Sequence, residues 1–214
     1  MTNFIPIFPL ELVVFPGESL NLHIFEPRYK ELIRDCRESG KSFGIPSVIN
    51  GRLGEYGTRM ELVEVVKEYE NGESDIKTRG MEVFKILELI RSVPGKLYGG
   101  SIVHYPDNEA GMGSRELMKL ILVALKELHT LLNVNPVFSK PEAELTSYDI
   151  AHHAGLSLEE ENELRALMHE LQRQEYLRRH LQKVLPVLRE MEHLKQKVKL
   201  NGHFKNLSSL DLNL

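Results

Sequence analysis

PIFPLELVVFPGESLNLHIFEPRYKELIRDCRESGKSFG, residues Pro6 to Gly44, is the stretch that decides the fold. Its first half contains three prolines, Pro6, Pro9 and Pro16. Each proline lacks a backbone N–H and has a fixed φ, so it cannot lie inside a central strand of a sheet. We therefore expect short strands here that lie at sheet edges, bends or bulges.

A strand and then a helix are predicted after the turn at Pro16-Gly17. Every second residue of Ser19–Ile24 is apolar, which is typical of a half-buried strand. Pro27 suits the first turn of a helix, where its missing N–H is no loss, and Gly40 is a typical helix end. The buried face of this predicted helix comprises Tyr29, Leu32, Ile33 and Cys36.

The rest of the first half reads as short strands joined by turns. Asn71-Gly72 is a strong hairpin signal, a loop is predicted over Gly51–Gly57, and Gly80 is predicted to end a strand. Short strands with tight turns favour a mostly antiparallel barrel or curled sheet. The polar, turn-forming stretch 107–114 then separates this β-rich part, residues 1–106, from the second half of the chain.

Residues 115–203 show a helical pattern and are predicted to form a bundle. Ser114 is a good N-cap, and Ser157 begins a capping box. Pro186 is expected to kink or break the last helix, and Asn201-Gly202 to stop it. Residues 204–214 lack a clear period and are predicted to be a loose tail. The apolar stripe of the first bundle helix is Leu117, Leu120, Ile121, Ala124, Leu125, Leu128 and Leu132.

Composition is that of an ordinary soluble protein, with 42% apolar and 27% charged residues and a net charge of −4. The acidic balance argues against binding to nucleic acid or to an anionic membrane. We expect no secretory signal and no spanning helix, and a cytoplasmic location. Cys36 is the only cysteine, so no intrachain disulfide can form. Its place on an apolar helix face predicts a buried, inert thiol.

The order IPIFPLELVVFPG followed by LNLHIFEPRY, within residues 5–29, resembles the opening of the Lon N-terminal, or substrate-binding, domain. It is similar above all to the stand-alone bacterial form, which lacks the ATPase and peptidase domains. The resemblance implies an α+β fold, with a PUA-like antiparallel β lobe that has one short helix and is followed by an α-helical bundle. It also implies that the chain binds polypeptide substrates or a protein partner without a cofactor.

A Lon protease needs a phosphate-binding loop for ATP and a serine–lysine dyad in a separate peptidase domain, and we expect this chain to have neither. No G-x-x-x-x-G-K-[ST] phosphate-binding loop occurs, and no G-x-S-x-G nucleophile motif occurs. Nor is there an H-E-x-x-H motif or a cysteine pair to hold a metal, and the adjacent His152 and His153 would point to different sides of a helix. We therefore expect neither an enzyme nor a metal site.

The candidate binding residues lie around the start of the first helix. An apolar patch of Phe8, Phe15 and Phe25 with a polar rim would suit a peptide-binding surface. The alternative is that these phenylalanines belong to the core. His23 is predicted either to pair with a nearby carboxylate or to line a groove. The polar rim comprises His23, Glu26, Arg28 and Tyr29.

Four functions remain open at this point, one of which is a hydrolase with an unrecognised site, although no nucleophile–base pair stands out. The leading hypothesis is a non-catalytic module that recognises polypeptides, with apolar anchors and strand addition at a proline-marked edge, linked to protein quality control or proteolysis. One alternative is RNA binding, because PUA-like lobes bind RNA in other families. Another is an adaptor that delivers clients to a separate ATP-dependent protease. The oligomeric state is left open.

Overall fold

The computed structural model describes residues 2–109 and 113–207, with side chains described for residues 3–109 and 113–198. The strands are β1 (Thr2–Pro6), β2 (Ser19–Ile24), β3 (Phe43–Ile49), β4 (Arg52–Glu68), β5 (Ser74–Ile90) and β6 (Gly100–His104). The helices are α1 (Pro27–Ser39), α2 (Arg115–Leu132), α3 (Ser147–Ile150), α4 (Leu158–Arg165) and α5 (Glu170–Leu207). The fold is therefore α+β, as predicted.

The long strand β5 is the centre of the sheet. The strand order is β1-β6-β5-β4-β3, and β2 pairs with the first part of β5, in line with β6. All these pairings are antiparallel. Beyond β1, residues 7–10 form parallel bridges with β3, so the two ends of the strand order meet and the sheet curls round.

The predictions for β2 and α1 are confirmed. In β2, Leu20 and Leu22 are half-buried and Ile24 is buried, while the residues between them are exposed. The four predicted apolar residues of α1 are all buried. Gly40 ends α1 with a φ of +66°, a left-handed conformation that favours glycine.

Two predictions drawn from glycines are wrong. The stretch Gly51–Gly57 is not a loop, because β4 runs through it, and Gly80 lies inside β5 instead of ending a strand. These glycines allow close packing. A Cβ on Gly57 would lie 2.3 Å from the Phe84 ring, and a Cβ on Gly80 would lie 2.4 Å from the carbonyl oxygen of Phe15.

The helical half also departs from the prediction in its boundaries. Ser114 and Ser157 cap α2 and α4 as expected. However, α5 runs through Pro186 and through Asn201-Gly202 without a break. Residues 204–207, predicted to belong to a loose tail, are therefore helical, and residues 208–214 lie outside the described part of the chain. The boundaries at 107–114 stay a prediction.

The segment Leu12–Phe15, here called the inter-lobe segment, joins the two halves. Val13 and Phe15 belong to the apolar core of the helices, whereas Val14 between them belongs to the core under the sheet. An extended chain points successive side chains in opposite directions, so one short segment enters two cores. The inter-lobe segment therefore packs between the sheet and the helices and is not itself a strand of the sheet.

Phe15 is held at this junction from both sides. Its ring centroid lies 5.3 Å from that of Tyr148 and 4.8 Å from that of His152. Its backbone N–H donates to Glu18 at 2.8 Å, and Glu18 also lies 3.2 Å from Nε2 of His152. Burial lowers the pKa of His152, but bonds to Glu161 and Glu18 outweigh burial and raise it to about 10. His152 is therefore a charged contact between the lobes at neutral pH.

Arg173 of α5 ties the segment before residue 110 to the helices. The fully buried guanidinium pairs with Glu170 at 3.0 Å and lies 4.1 Å from the ring centroid of Tyr148. It donates to the Asn108 side chain at 2.9 Å and to the Glu109 carbonyl at 2.9 Å. A buried charge needs this many partners, because its hydration is lost.

We predict that Arg173→Ala lowers the free energy of unfolding by about 3–5 kcal/mol, because it leaves the Glu170 carboxylate buried without its partner. Denaturant unfolding would measure the loss. The control is Arg178→Ala, which removes an ion pair with Glu175 that is about one-third exposed and should cost at most about 1 kcal/mol. Equal losses in the two variants would contradict the assignment.

Candidate functional site

The structure separates the seven predicted site residues into a buried and an exposed group. Phe8, Phe15 and Tyr29 are buried. Phe8 and Tyr29 stack at 3.8 Å between ring centroids in the core under the sheet, whereas Phe15 lies in the helical core. The predicted patch of three phenylalanines is therefore not a surface, because two of its members pack into different cores. The core alternative is correct for both.

The exposed group lies between the end of β2 and the start of α1. Phe25 is 58% exposed, which is high for a phenylalanine. Arg28 pairs with Glu26 at 2.8 Å, and its guanidinium lies 4.5 Å from the ring centroid of Tyr29. Glu26 is the residue before α1, but its side chain makes no capping bond. Phe25 is thus an apolar side chain offered to solvent beside a charged pair.

His23 contacts the β4–β5 hairpin, and the Phe25 ring lies 6.2 Å from the His23 ring between centroids. We call this cluster the arm tip, formed by His23, Phe25, Tyr69, Glu73 and Asp75. His23 Nδ1 lies 2.7 Å from Asp75, and the Tyr69 hydroxyl donates to the other oxygen of Asp75 at 2.7 Å. Nε2 of His23 faces Glu73 at 3.4 Å. The bond to Asp75 raises the pKa of His23, and the same bond lowers the pKa of Asp75.

Nothing in the sequence pattern connects His23 with the hairpin residues of the arm tip. The hairpin turn at Asn71-Gly72 is predictable, but Tyr69, Glu73 and Asp75 lie about 50 residues along the chain from His23. Only the register of β2 with β5, in which His23 pairs with Asp75, brings them together. The expected carboxylate partner of His23 is therefore present, and its identity comes from the tertiary structure.

The outer edge of β2 is free in the described part of the chain, since β2 pairs with β5 alone. The Glu18 carbonyl accepts from the Gly80 N–H at 2.8 Å, and the Leu20 carbonyl accepts from the Thr78 hydroxyl at 2.8 Å. Even-numbered residues thus face β5, because antiparallel strands alternate. The residues whose backbone groups face the free edge are Ser19, Asn21 and His23.

β4 also has an unpaired edge after Met60, where its pairing with β3 ends. That edge differs from the edge of β2. The register of β4 with β5 shifts twice within residues 62–67. Bulges and charged side chains discourage pairing at an edge. The charged residues of this part of β4 are Glu61, Glu64, Lys67 and Glu68. β2 has neither a register shift nor a lysine, arginine or acidic residue, so it is the less protected edge.

The arm tip lies away from the junction between the lobes. The helical half is contacted through Glu18, at the opposite end of β2 from His23. His23 to Tyr29 therefore do not lie at that junction, which Val13 and Phe15 fill. The candidate functional surface is the free edge of β2 with the arm tip at its end.

Within the described residues, no group of three histidine, cysteine or acidic side chains is arranged to hold a metal ion. No helix in the same part of the chain is both long and apolar enough to cross a bilayer. Burial raises the pKa of the Cys36 thiol to about 12, so the thiol stays protonated at neutral pH.

We predict that the pKa of His23, followed by NMR titration, lies above the usual value for histidine, about 6.5. Asp75→Asn should bring it down toward that value, because the neutral amide no longer favours the imidazolium. Tyr69→Phe is the control, since it removes a second partner of Asp75 but leaves the carboxylate beside His23. A His23 pKa unchanged by Asp75→Asn would show that the bond is not formed in solution.

Comparison with known proteins agrees with this architecture. The family model of the ATP-dependent protease La (LON) substrate-binding domain matches residues 5–200. A Lon N-terminal domain protein from Xanthomonas campestris has a TM-score of 0.64 at 24% identity, covering 82% of this chain and 96% of that one. The N-terminal domain of Mycobacterium avium complex Lon protease has a TM-score of 0.58 at 16% identity, covering 86% and 100%.

A curated relative is matched over a shorter span. Protein cereblon of Gallus gallus is 30% identical over 90 residues, which are 40% of this chain and only 20% of cereblon. The two solved structures support the fold. The family match covers nearly the whole chain and includes both the sheet and the helices. This chain belongs to the family of Lon substrate-binding domains.

Proposed function

We propose that this chain is a non-catalytic module that recognises extended polypeptide segments, and that the segment adds as a strand to the free edge of β2. The single observation that carries the proposal is this regular, unpaired edge, which has no lysine, arginine or acidic residue, in a chain of the substrate-binding family. Main-chain hydrogen bonds would supply affinity that does not depend on the client's sequence.

Phe25 supplies the apolar anchor. It follows β2 directly, so a segment paired along the edge toward His23 reaches its ring. An exposed aromatic side chain buries a large apolar area at a small entropic cost, which is why such residues dominate binding energies. The client would therefore pair along β2 and place an apolar side chain on Phe25.

The charges around the arm tip add a preference. Glu73 and Asp75 lie at His23, whose ring centroid is 6.2 Å from that of Phe25. Glu26 follows Phe25 in the chain and is paired with Arg28. Such a rim tolerates a basic residue of the client better than an acidic one. The fitting client is an extended segment with an apolar residue next to a lysine or arginine.

The arm tip favours binding over catalysis. His23 beside Asp75 looks like half of a nucleophilic triad, but both of its ring nitrogens face carboxylates. No nitrogen is left to take a proton from a serine or cysteine, which a general base must do. The purified protein would thus bind a denatured client such as casein without cleaving it.

Extended segments with unpaired backbone groups occur in unfolded chains and are rare on folded surfaces. This supports a role in protein quality control, including delivery of clients to a separate ATP-dependent protease. The acidic net charge weighs against RNA binding as the main role.

We predict that Asn21→Pro weakens binding of a reduced, alkylated model protein by at least about tenfold, since proline removes the N–H at the middle of the free edge. The fold should be retained because the N–H of residue 21 does not bond to β5. Asn21→Ser is the matched control, which changes the side chain and keeps the amide. Fluorescence anisotropy measures binding. Equal affinity of the proline and serine variants would exclude strand addition at β2.

We also predict that Phe25→Asp weakens the same interaction by about tenfold while the midpoint of thermal unfolding stays close to wild type, because the ring is exposed. The control is Val137→Asp, which places the same charge on another exposed apolar residue, far along the chain. An effect of the same size in both variants would indicate a non-specific influence of charge. If wild type itself binds no denatured protein, the proposed function is wrong.

A further inference from the structure

Helix α5 is much longer than the bundle to which it belongs. It has 38 residues, or about 57 Å at 1.5 Å per residue, against 18 residues and about 27 Å for its neighbour α2. The last α5 residue that packs against the helical core is Leu188. Arg189 then pairs with Glu127 of α2 at 2.8 Å. From there on, most of the described side chains are exposed.

One face of this exposed part of α5 is apolar. Its four residues are separated by four, three and four positions, the spacing of the seam between paired helices. They are each at least half exposed: Val187 at 56%, Met191 at 50%, Leu194 at 54% and Val198 at 70%. Single exposed apolar residues are common, but a row of four with this period is typical of a helix that packs on a partner. We call this row the α5 seam.

Closer to the start of α5 the same face is covered. Tyr176 and His180 lie on it at helical spacing, and both bond to α4, through Glu163 at 2.8 Å and Glu160 at 3.2 Å. α4 thus covers the face up to His180, and the α5 seam begins at Val187. The seam is therefore the continuation of a packing face that the bundle itself leaves uncovered.

Charges beside the α5 seam are separated by sign. Glu190 and Glu192 flank its first half, and Lys195 and Lys197 flank its second half. Of these four described side chains, Glu192 and Lys195 approach each other within one helix, at 3.8 Å. If a second copy lay parallel, the acidic halves would lie level with each other, and so would the basic halves. If it lay antiparallel, the acidic half of each helix would face the basic half of the other.

We propose that the α5 seam pairs with the α5 seam of a second copy of this chain, in an antiparallel, two-fold symmetric dimer. Met191 would then lie opposite the partner's Leu194, and Val187 opposite the partner's Val198. Glu190 would lie beside the partner's Lys197. The symmetry is self-complementary, since each contact occurs twice.

The antiparallel arrangement also fits the shape of the chain. It places the two bundles at opposite ends of the helix pair, whereas a parallel pair would bring both α4 helices to the same end. The dimer does not depend on the proposed function, and it would give one particle two binding edges.

Sedimentation velocity over a range of protein concentrations tests the dimer. Wild type is expected to pass from monomer to dimer as its concentration rises. Leu194→Glu should weaken association by at least about tenfold, because it places a charge in the apolar contact. Val123→Glu is the matched control, since Val123 is an apolar residue of α2 that is also more than half exposed and lies outside the α5 seam. A wild type that stays monomeric, or equal association of the two variants, overturns the proposal.

Exchanging the charges of Glu190 and Lys197 tests whether the two α5 helices lie antiparallel. Glu190→Lys and Lys197→Glu should each weaken the dimer by about fivefold at low salt, and the double variant should restore it. In a parallel pair, the only lysine of the partner within reach of Glu190 would be Lys195. If Lys195→Glu, and not Lys197→Glu, restores association of the Glu190→Lys variant, the antiparallel dimer is overturned. All these residues are exposed, and circular dichroism confirms that each variant keeps its helix content.

Discussion

The structure depends on the inter-lobe segment, Leu12–Phe15, whose successive side chains enter two different cores. The segment is extended but is not a strand of the sheet, so its buried carbonyl groups need other partners. The Ser47 hydroxyl donates to the Leu12 carbonyl at 2.6 Å, and the Thr58 hydroxyl donates to the Val14 carbonyl. These two side chains of β3 and β4 take the place of ladder partners for the segment. The inter-lobe segment thereby fixes the sheet and the helices to each other, and Arg165 of α4 adds a bond to the Tyr56 carbonyl of β4 at 2.8 Å.

This junction determines which surface is available for binding. Phe15 is occupied between Tyr148 and His152, and Phe8 between the sheet and α1, so neither can contact a client. The curled sheet is joined to itself on one side through residues 7–10, which leaves β2 as an edge. Pro16 and Pro27 bracket β2 and prevent the strand from extending. The surface that remains available for binding is a short free edge with one exposed aromatic residue, Phe25, beside it.

The sequence was informative wherever a local pattern had one physical meaning. The alternation of Ser19–Ile24 and the helical face beginning at Tyr29 both predict burial correctly, because one side of each element must face a core. Glycine positions were a misleading signal for turns and strand ends, because a fold can need glycine for two different physical reasons. At Gly40 it relieves a left-handed backbone, whereas at Gly57 and Gly80 it makes room for an aromatic ring and a carbonyl, and the sequence alone does not distinguish these uses.

The amino-acid sequence by itself determined the family, the α+β class, and the strand and helix that carry the candidate site. The family followed from the resemblance of the motif in residues 5–29, whereas the elements followed from short-range periodicity and proline positions, which restrict the backbone locally. Only the tertiary structure decided which phenylalanine is exposed, which carboxylate meets His23, and that α5 continues through Pro186 beyond its bundle. Those outcomes depend on strand register and on packing between residues far apart in the chain, which no local pattern encodes. Phe25 lies at the surface, whereas Phe8 and Phe15 lie in the two cores.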